Sequence, residues 1–328
     1  MRRWFIPCPA SSWFDETFHG LKKFHTPVQE VPRRGLLHIY FMDYNYIEVD
    51  KEFFPTRCKN YSPNAKIEVR MLTVGDAKLL AMIDENNSSQ ILYTILQRCT
   101  RLTNLKLDDL YLADRDYLLF YLRSCSFLKT DEAFKFKIKA CESCKQPATF
   151  DINLSDLQLD TLDEFERQFK VFDNIIIIKP PRIRDVQYKL KDAELSRLLT
   201  YTNLVEVFGS AQAAITNVLQ LDAKSYVLLN NYVSAMKCGI REELQVTCPN
   251  CGHELLLKWN FSELDLLGTI DIRILLKSIL SIAKYTNYQV TDDLLYIEYQ
   301  MMDQIVAQMM TEENKAYEKA NGNILLGG

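Results

Sequence analysis

Two C-x-x-C pairs, far apart along the chain, constrain its fold more than any other feature of the sequence. Cys141 and Cys144 form the first pair and Cys248 and Cys251 the second, with residues 145–247 between them. Each pair lies between two short segments in which polar and apolar residues alternate, the pattern of a half-buried strand. The sequence therefore predicts two β-hairpins, each with a C-x-x-C turn at its tip.

Four cysteine thiolates match the needs of a structural zinc ion, which prefers four tetrahedral ligands and accepts pairs of thiolates two residues apart. We predict that Cys141, Cys144, Cys248 and Cys251 bind one Zn²⁺ with a structural role. The intervening segment is far longer than the roughly 15–20 residues of an ordinary zinc ribbon. The pattern thus predicts a ribbon that is split by an inserted subdomain, with no open position for a catalytic water.

Other interpretations of the cysteines stay open at this point. Two metal-free pairs, buried or joined as disulfides, are one alternative, although the odd count of nine cysteines and the lack of a secretory pattern favour a reducing compartment. A redox function is another, but neither pair stands at a helix start that would lower a thiol pKa. His253 could replace one thiolate; because four cysteines suffice, we expect it to lie outside the ligand set.

The sequence predicts an α+β protein with a helical core, a split zinc-ribbon-like pair of β-hairpins and an inserted α/β subdomain. Aromatic residues and prolines dominate the start of the chain, where prolines exclude long helices, whereas later segments carry apolar residues at helical spacing. The predicted units are an extended arm with a small β element at 1–70, a helical unit at 71–130, the split ribbon at 131–154 and 243–260, the inserted subdomain at 155–242, C-terminal helices at 261–313 and a flexible tail at 314–328.

Individual elements can be predicted within these units. Residues 66–70 alternate like a strand, and Thr73 with Asp76 forms the capping-box pattern of a helix start. The apolar run 175–178 is typical of a fully buried strand. Helices are expected three times within 73–127, and at 192–201, 222–236, 272–283 and 291–313. The residues expected to face the core from the helix at 272–283 are Ile272, Leu275, Leu276, Ile279, Leu280 and Ala283.

Composition and missing motifs argue against an enzyme and against DNA binding as a primary role. The chain has 43 acidic and 39 basic residues, a net charge of -4, without the basic excess that phosphate binding needs. Its ten glycines form neither a dinucleotide-binding pattern nor a P-loop. Asp114 and Asp116 are interpreted as partners of a helix dipole rather than as paired catalytic carboxylates. The longest uncharged run, 207–221, is too short and too polar to span a membrane.

Two segments are candidates for contact with other proteins. The arm carries Trp4, Trp13 and several phenylalanines among its prolines, and we expect this apolar surface to be buried against a neighbouring protein. The last helix has a broad apolar stripe from Leu295 to Met309. We favour packing of this stripe against the helix at 272–283. Its methionine-rich excess would then meet another chain, which allows a homo-oligomer.

Several phrases of the sequence resemble the baseplate hub and hub-assembly proteins of T-even-type contractile-tailed bacteriophages. The phrases are Val31-Pro32-Arg33-Arg34-Gly35, the strand at 67–70, the helix start at 72–80 and the segment 114–123. That family opens with a Leu-Pro-Ser-x-Gly-like phrase, continues with an R-x-x-T-x-x-D/E-E helix start, and carries an L-R helix followed by C-x-x-C hairpins. Here Val-Pro-Arg-Arg-Gly replaces the opening phrase and Asp-Ala replaces the acidic pair. The resemblance covers about 31–154 and 243–260.

The resemblance implies a non-enzymatic structural or assembly protein of a phage tail baseplate, with other tail and baseplate proteins as partners and no catalytic residues. Such a protein would be assembled in the host cytoplasm and located in the virion, without membrane contact. Together with the cysteines, this leads to the hypothesis of an adaptor with a structural zinc site. The alternative is a zinc-ribbon nucleic-acid-binding regulatory protein, supported by lysines around the hairpins: Lys135, Lys137, Lys139, Lys145 and Lys258.

Overall fold

The computed structural model describes residues 46–84, 86–128, 134–152, 156–186, 190–241, 243–258, 267 and 270–325. The predictions for the arm before residue 46, including its contact with a neighbouring protein, fall outside these residues. Helices and strands both contribute to the described part, in the order of an α+β protein. The general fold class is therefore confirmed.

A small antiparallel sheet and three helices form the first unit. Strands β1 (Ile47–Glu48), β2 (Lys66–Val69) and β3 (Thr100–Thr103) pair in that order. Helices α1 (Val74–Leu80) and α2 (Ser88–Cys99) separate β2 from β3, and α3 (Leu112–Ser126) follows. The strand at 66–70 and the three helices are confirmed. Strand β3 was not predicted, because the chain passes directly from α2 into four residues that are too few to show a period.

The start of α1 is fixed by a buried carboxylate between two guanidinium groups. Thr73 and Asp76 form the predicted capping box, with each side chain accepting the backbone N–H of the other residue. Arg70 Nη1 lies 2.8 Å from Asp76 Oδ2, and Arg98 Nε lies 3.1 Å from Asp76 Oδ1. The side chain of Asp76 is fully buried, and burial of a charge requires such partners. Arg70, Thr73 and Asp76 are the Arg, Thr and first acidic positions of the motif described above.

A second buried carboxylate fixes the start of α3, so the interpretation of Asp114 as a helix-dipole partner alone was incomplete. Asp114 lies in the first turn of α3 and is fully buried. It accepts hydrogen bonds from the backbone and hydroxyl of Thr56 and from the hydroxyl of Tyr61. Burial raises the pKa of Asp114 to about 6, although the hydrogen bonds from Thr56 and Tyr61 oppose that shift. Asp114 therefore ties the loop before β2 to the helix.

The segment between the two cysteine pairs forms a unit with its own core. Strands β6 (Leu159–Asp160) and β9 (Gly239–Ile240) pair antiparallel at its two ends, and Arg241 forms an ion pair of 2.7 Å with Asp160 there. Between them lie the hairpin β7 (Arg167–Val171) and β8 (Asn174–Ile178) and the helices α4 (Ala193–Tyr201), α5 (Leu204–Phe208), α6 (Ala211–Leu219) and α7 (Ala223–Ala235). The strand at 175–178 and the helices at 192–201 and 222–236 are confirmed.

The prediction that the strand at 175–178 is fully buried was wrong. Strand β8 pairs antiparallel with β7; Ile176 and Ile178 are buried against the helices, whereas Ile175 is 60% exposed. The reason is that only one face of this hairpin is covered by the helices of the described residues. A continuous apolar run does not reveal whether both faces of its sheet are covered.

Two C-terminal helices complete the described chain. Helix α8 (Ile272–Thr286) and helix α9 (Tyr296–Leu325) join the core of the first unit through Leu275, Ile282 and Val306. The chain before α9 lies against the start of α1, where Gly75 N–H donates to the Asp292 carbonyl at 2.9 Å. A β-carbon on Gly75 would lie 3.1 Å from that oxygen, so a larger residue would push the two segments apart by a few tenths of an ångström.

The last helix differs from the predicted 291–313 at both ends. It begins at Tyr296 and continues to Leu325, through the segment for which a flexible tail was expected. Residues 312–320 contain good helix formers and neither glycine nor proline, which explains the extension. The expected packing of α9 on α8 is confirmed, since Ser278 Oγ hydrogen-bonds Asp303 and Met302 and Val306 are buried.

The predicted core face of α8 was partly wrong. Leu275 is buried, and Ile272 and Ile279 are half-buried. Leu276 and Leu280 are 46% and 71% exposed, and Ala283 is exposed as well. Periodicity identified the apolar residues of the helix correctly. It could not show that the described neighbours cover only one side of them, which leaves Leu276 and Leu280 on an outer flank.

Candidate metal centre

Two β-hairpins carry the cysteines and pack against each other. The first consists of β4 (Phe134–Ile138) and β5 (Ala148–Ile152), and the second of β10 (Glu243–Thr247) and β11 (Glu254–Lys258). Inward-facing residues of both hairpins form a small separate core with the cysteines. Its buried apolar members are Ala148, Phe150, Ile152, Leu244 and Leu257. The segments with alternating polar and apolar residues thus form two half-buried hairpins, as predicted.

The two C-x-x-C turns have the same backbone hydrogen bonds. In the first, Cys141 N–H donates to the Gln146 carbonyl at 2.8 Å and Lys145 N–H donates to the Cys141 carbonyl at 2.9 Å. In the second, Cys248 N–H donates to the His253 carbonyl at 2.8 Å and Gly252 N–H donates to the Cys248 carbonyl at 2.9 Å. The fourth residue after the first cysteine is left-handed in both turns, with φ of 59° at Lys145 and 75° at Gly252.

The four sulfur atoms converge on one point between the hairpins. All four lie within 4.8 Å of one another. Cys141 Sγ lies 3.8 Å from Cys251 Sγ, and Cys144 Sγ lies 4.0 Å from Cys248 Sγ. Sulfurs placed about 2.3 Å from a central ion in a tetrahedron lie about 3.8 Å from one another, whereas a disulfide bond is about 2.05 Å long. The separations therefore match a tetrahedral tetrathiolate site and exclude bonded pairs in this structure.

The sulfurs differ in exposure and in acidity. Cys141 and Cys248 are buried, Cys144 is half-buried and Cys251 is exposed. Hydrogen bonds from the backbone of Cys144 and Ser143 lower the pKa of the Cys141 thiol to about 6. At Cys144 the backbone of Gln146 acts in the same direction, but desolvation and the neighbouring thiols prevail and raise the pKa to about 11. Charges on adjacent sulfurs repel one another, so complete ionisation of the cluster requires a cation.

The structure brings together all four predicted cysteines and leaves His253 apart. The His253 side chain is exposed, and its backbone carbonyl, not its ring, contributes to the second turn. Cys58, Cys99 and Cys125 are buried elsewhere and Cys238 is half-buried; Cys8 lies outside the described residues. In the part of the chain that the structure describes, the four cysteines form the one His, Cys, Asp or Glu cluster with metal-ligand geometry.

Two features of the site were not predicted. Asn250 Nδ2 donates to the Pro147 carbonyl at 3.0 Å and so connects the second turn to the first hairpin. The left-handed conformation of Lys145 was also missed, because lysine carries no sequence signal for it. The equivalent position in the second C-x-x-C pair could have indicated it, since Gly252 stands there and a glycine does signal this conformation.

Where the structure describes their side chains, the lysines near the hairpins are exposed. Lys137, Lys139 and Lys145 are exposed, and Lys258 pairs with Glu243 on the adjacent strand at 3.1 Å. Lysines on the outer face of a hairpin are ordinary solvated residues. This distribution gives the nucleic-acid-binding alternative no additional support.

The fold and the cysteine site define an α+β protein with a large unit between two cysteine hairpins. A family model described as T4 bacteriophage base plate protein matches residues 55–257. This is more than half of the chain, and the protein therefore belongs to that family. It has no significant match among curated proteins or among solved structures.

The family assignment confirms the predicted class and corrects its extent. The match begins in the loop that carries Thr56 and includes both cysteine pairs, but it also covers the unit at 155–242, which the resemblance in the sequence left out. That unit is thus part of the family's common region. Membership indicates a structural protein of the phage baseplate, located in the virion tail, with other tail proteins as partners. Among the described residues, no helix combines the length and apolar character needed to cross a membrane.

Proposed function

We propose that this protein is a non-enzymatic adaptor of the phage baseplate whose two cysteine hairpins are held together by a structural zinc ion. The proposed metal site rests on the sulfur geometry: four thiols from two hairpins lie together, with separations of 3.8 Å and 4.0 Å across the cluster. A thiophilic ion with a tetrahedral preference fits this donor set, and zinc is the usual one in structural sites. Cys141, Cys144, Cys248 and Cys251 would supply all four ligands.

The position of the cluster gives the ion a specific mechanical role. The pairs lie on either side of the unit at 155–242, whose two ends are otherwise joined by the short β6–β9 pair and the Asp160–Arg241 ion pair. That ion pair is about half exposed at both partners, and exposed ion pairs contribute little to stability. The metal would therefore clamp the two hairpins from which this unit extends. It would add to the direct contacts of the unit with the helical core, such as the 2.6 Å ion pair between Arg184 and Asp109 and the 2.9 Å hydrogen bond from Leu112 N–H to the Pro181 carbonyl.

Contact with neighbouring tail proteins is proposed for the outer flanks of the C-terminal helices. Leu276 and Leu280 on α8, and Ile305 and Met309 on α9, are exposed large apolar residues. Beyond Val306, the described side chains of α9 are exposed up to residue 318. An exposed helix of this length is marginally stable in water without a partner. Apolar flanks of this kind suit a partner helix or sheet of an adjacent baseplate protein.

Metal analysis of the purified full chain tests the zinc site. We expect close to one zinc per chain, its removal by a strong chelator, and a marked loss of thermal stability upon removal. Reconstitution with zinc should restore stability, whereas magnesium, which prefers oxygen ligands, should not. Protein without bound zinc and with a melting temperature insensitive to chelator would contradict the structural metal.

Paired substitutions on α9 test the adaptor surface. The double variant Ile305→Asp/Met309→Asp should fold with an unchanged melting temperature but lose co-sedimentation with tail particles, because both side chains are exposed. Gln304→Asp/Gln308→Asp is the matched control, since both glutamines are exposed on the same helix. Equal assembly of the two variants would exclude this part of α9 as a contact surface. A filter-binding assay tests the nucleic-acid-binding alternative, which requires steeply salt-dependent binding.

A further inference from the structure

Besides binding a metal, the four thiols can be oxidised to disulfides, and their arrangement determines which sulfurs are close enough to bond. Two pairs of sulfurs lie at hydrogen-bonding distance, and each pair takes one cysteine from each hairpin: Cys141 with Cys251 at 3.8 Å, and Cys144 with Cys248 at 4.0 Å. Both of these pairs join cysteines that are more than 100 residues apart in sequence. Cys251 is exposed and offers a reagent access, whereas its neighbour Cys141 is fully buried.

We propose that this cluster is an oxidative modification site at which a hydroperoxide converts the metal-free thiols into two disulfides between the hairpins, Cys141–Cys251 and Cys144–Cys248. The inference goes beyond the proposed zinc site, because it concerns the same thiols without an ion. Such links would hold the ends of the unit at 155–242 together covalently. The protein would then keep the same clamp in an oxidising environment, where thiolates and their metals are not preserved.

Each pair of thiols is oxidised by one molecule of hydrogen peroxide. The sulfur of Cys251 attacks one oxygen of hydrogen peroxide, the O–O bond breaks, and a sulfenic acid and one water are formed. The sulfur of Cys141 then attacks the sulfenic sulfur, the new S–S bond forms, and a second water leaves. Two thiols lose two electrons and two protons in total, and one peroxide is reduced to two waters. A second peroxide oxidises Cys144 and Cys248 in the same way.

In the folded protein we expect links between the hairpins to form in preference to links within a turn. Each cross pair must approach by about 2 Å to reach the length of a disulfide bond, and its two sulfurs are already in contact. In an unfolded chain the order of preference reverses, because closure of a C-x-x-C loop costs far less entropy than closure across residues 145–247. Pairing in the folded protein and in the unfolded protein should therefore differ, and the difference reports on the structure.

Peptide mapping of the full chain provides the test. The protein is stripped of metal with a chelator, treated with hydrogen peroxide, blocked with a thiol-alkylating reagent and digested with trypsin without reduction. Trypsin releases Cys141 and Cys144 together on one peptide, residues 140–145, and Cys248 and Cys251 together on another, residues 242–258. Links between hairpins join these peptides into one species, and links within a turn leave them separate. We expect the joined species in buffer and mainly separate peptides after oxidation in guanidinium chloride.

Two double variants compare a link between the hairpins with a link within a turn. Cys144→Ser/Cys248→Ser retains one cross pair and should form the joined species, whereas Cys248→Ser/Cys251→Ser retains only the first turn and should form its internal link more slowly. Separate peptides from the folded wild-type protein, or overoxidised cysteines without links, would overturn the proposal. Zinc content measured before stripping is independent of this outcome. Cross-links in a protein that never contained zinc would refute the proposed metal and support the oxidation site.

Discussion

The two C-x-x-C turns share one backbone conformation but reach it with different residues, and the difference shows what the site requires. The second turn has Gly252 at the left-handed position, the residue that adopts it without steric cost. The first has Lys145 there, with φ of 59°, which is uncommon for a residue with a β-carbon. The second turn also carries Asn250, which hydrogen-bonds Pro147 of the first hairpin; Ser143, at the equivalent place, is exposed.

The comparison indicates that the position of the sulfurs, rather than local sequence preference, dictates the turn. Both turns direct two thiols into a single cluster, although only one of them has residues suited to its conformation. Backbone strain is tolerated where the surrounding structure determines the conformation. The first turn therefore depends more on its partner than the second does.

The largest expected effect is the difference in stability between a substitution of a buried cysteine of the cluster and the same substitution of an exposed one. Cys141→Ser places a hydroxyl in a fully buried position and removes one of four proposed metal ligands. It should lower the free energy of unfolding by on the order of 4 kcal/mol. Cys251→Ser removes an exposed ligand whose place a water can take, and we expect a loss of roughly 1 to 2 kcal/mol. Thermal denaturation and zinc content measure both.

The same substitution is made at both positions, so a difference between them reflects position and not chemistry. Equal losses of stability and zinc would show that burial of the ligand is unimportant. An unchanged melting temperature for Cys141→Ser would contradict the proposed structural metal altogether.

Gly252 occupies the left-handed position of the second turn. A β-carbon on Gly252 would have no atom within 4 Å, so Gly252→Ala costs only the backbone penalty of about 1 kcal/mol. Denaturant unfolding should show this loss without a change in zinc content. Thr247→Ala, on an exposed position of the adjacent strand, is the control and should have a smaller effect. A loss of zinc from the glycine variant would mean that the turn itself had opened.

Asn250→Ala should have a still smaller effect. It removes one exposed hydrogen bond, of 3.0 Å, to the Pro147 carbonyl, which is worth roughly 0.5 to 1 kcal/mol. Asn250→Asp is an informative control, because a carboxylate of the same size accepts hydrogen bonds but cannot donate one to a carbonyl. Equal losses for both variants would support the donated hydrogen bond. If the aspartate variant were as stable as the wild type, the connection would contribute nothing.

The candidate site was predictable from the sequence to a large extent, because its chemistry depends on a residue type with few other uses. Four cysteines at paired spacing between alternating segments were sufficient to predict both hairpins and the cluster. The packing of the helices was less predictable. Leu276 and Leu280 on α8 fit the same period as the buried Leu275, and period alone contains no information about how many sides of a helix are covered. Ile175 on β8 shows the same limit for strands.

Buried polar groups were the least predictable features. Asp76 could be assigned to a capping box, but the ion pairs with Arg70 and Arg98 depend on contacts between separate elements. Asp114 has the sequence context of an exposed first-turn carboxylate, but it is buried and accepts hydrogen bonds from Thr56 and Tyr61. Local sequence fixes the beginning of each helix in both cases. The partners of the carboxylate come from elsewhere in the chain, so they require the tertiary structure.

The smallest expected effect tests the strain in the first turn directly. Lys145→Gly relieves the cost of the left-handed conformation, about 1 kcal/mol. It also increases the conformational entropy of the unfolded chain, which lowers the free energy of unfolding by about half of that amount or more. The balance should be a gain of up to roughly 0.5 kcal/mol, which denaturant unfolding can resolve if the slope is unchanged. Lys145→Ala keeps the β-carbon and removes the exposed charge, so it should give no gain. Stabilisation by both variants would assign the effect to the lost charge. Destabilisation by glycine alone would show that the first turn is no more strained than the second, and that the two turns differ in sequence without differing in energy.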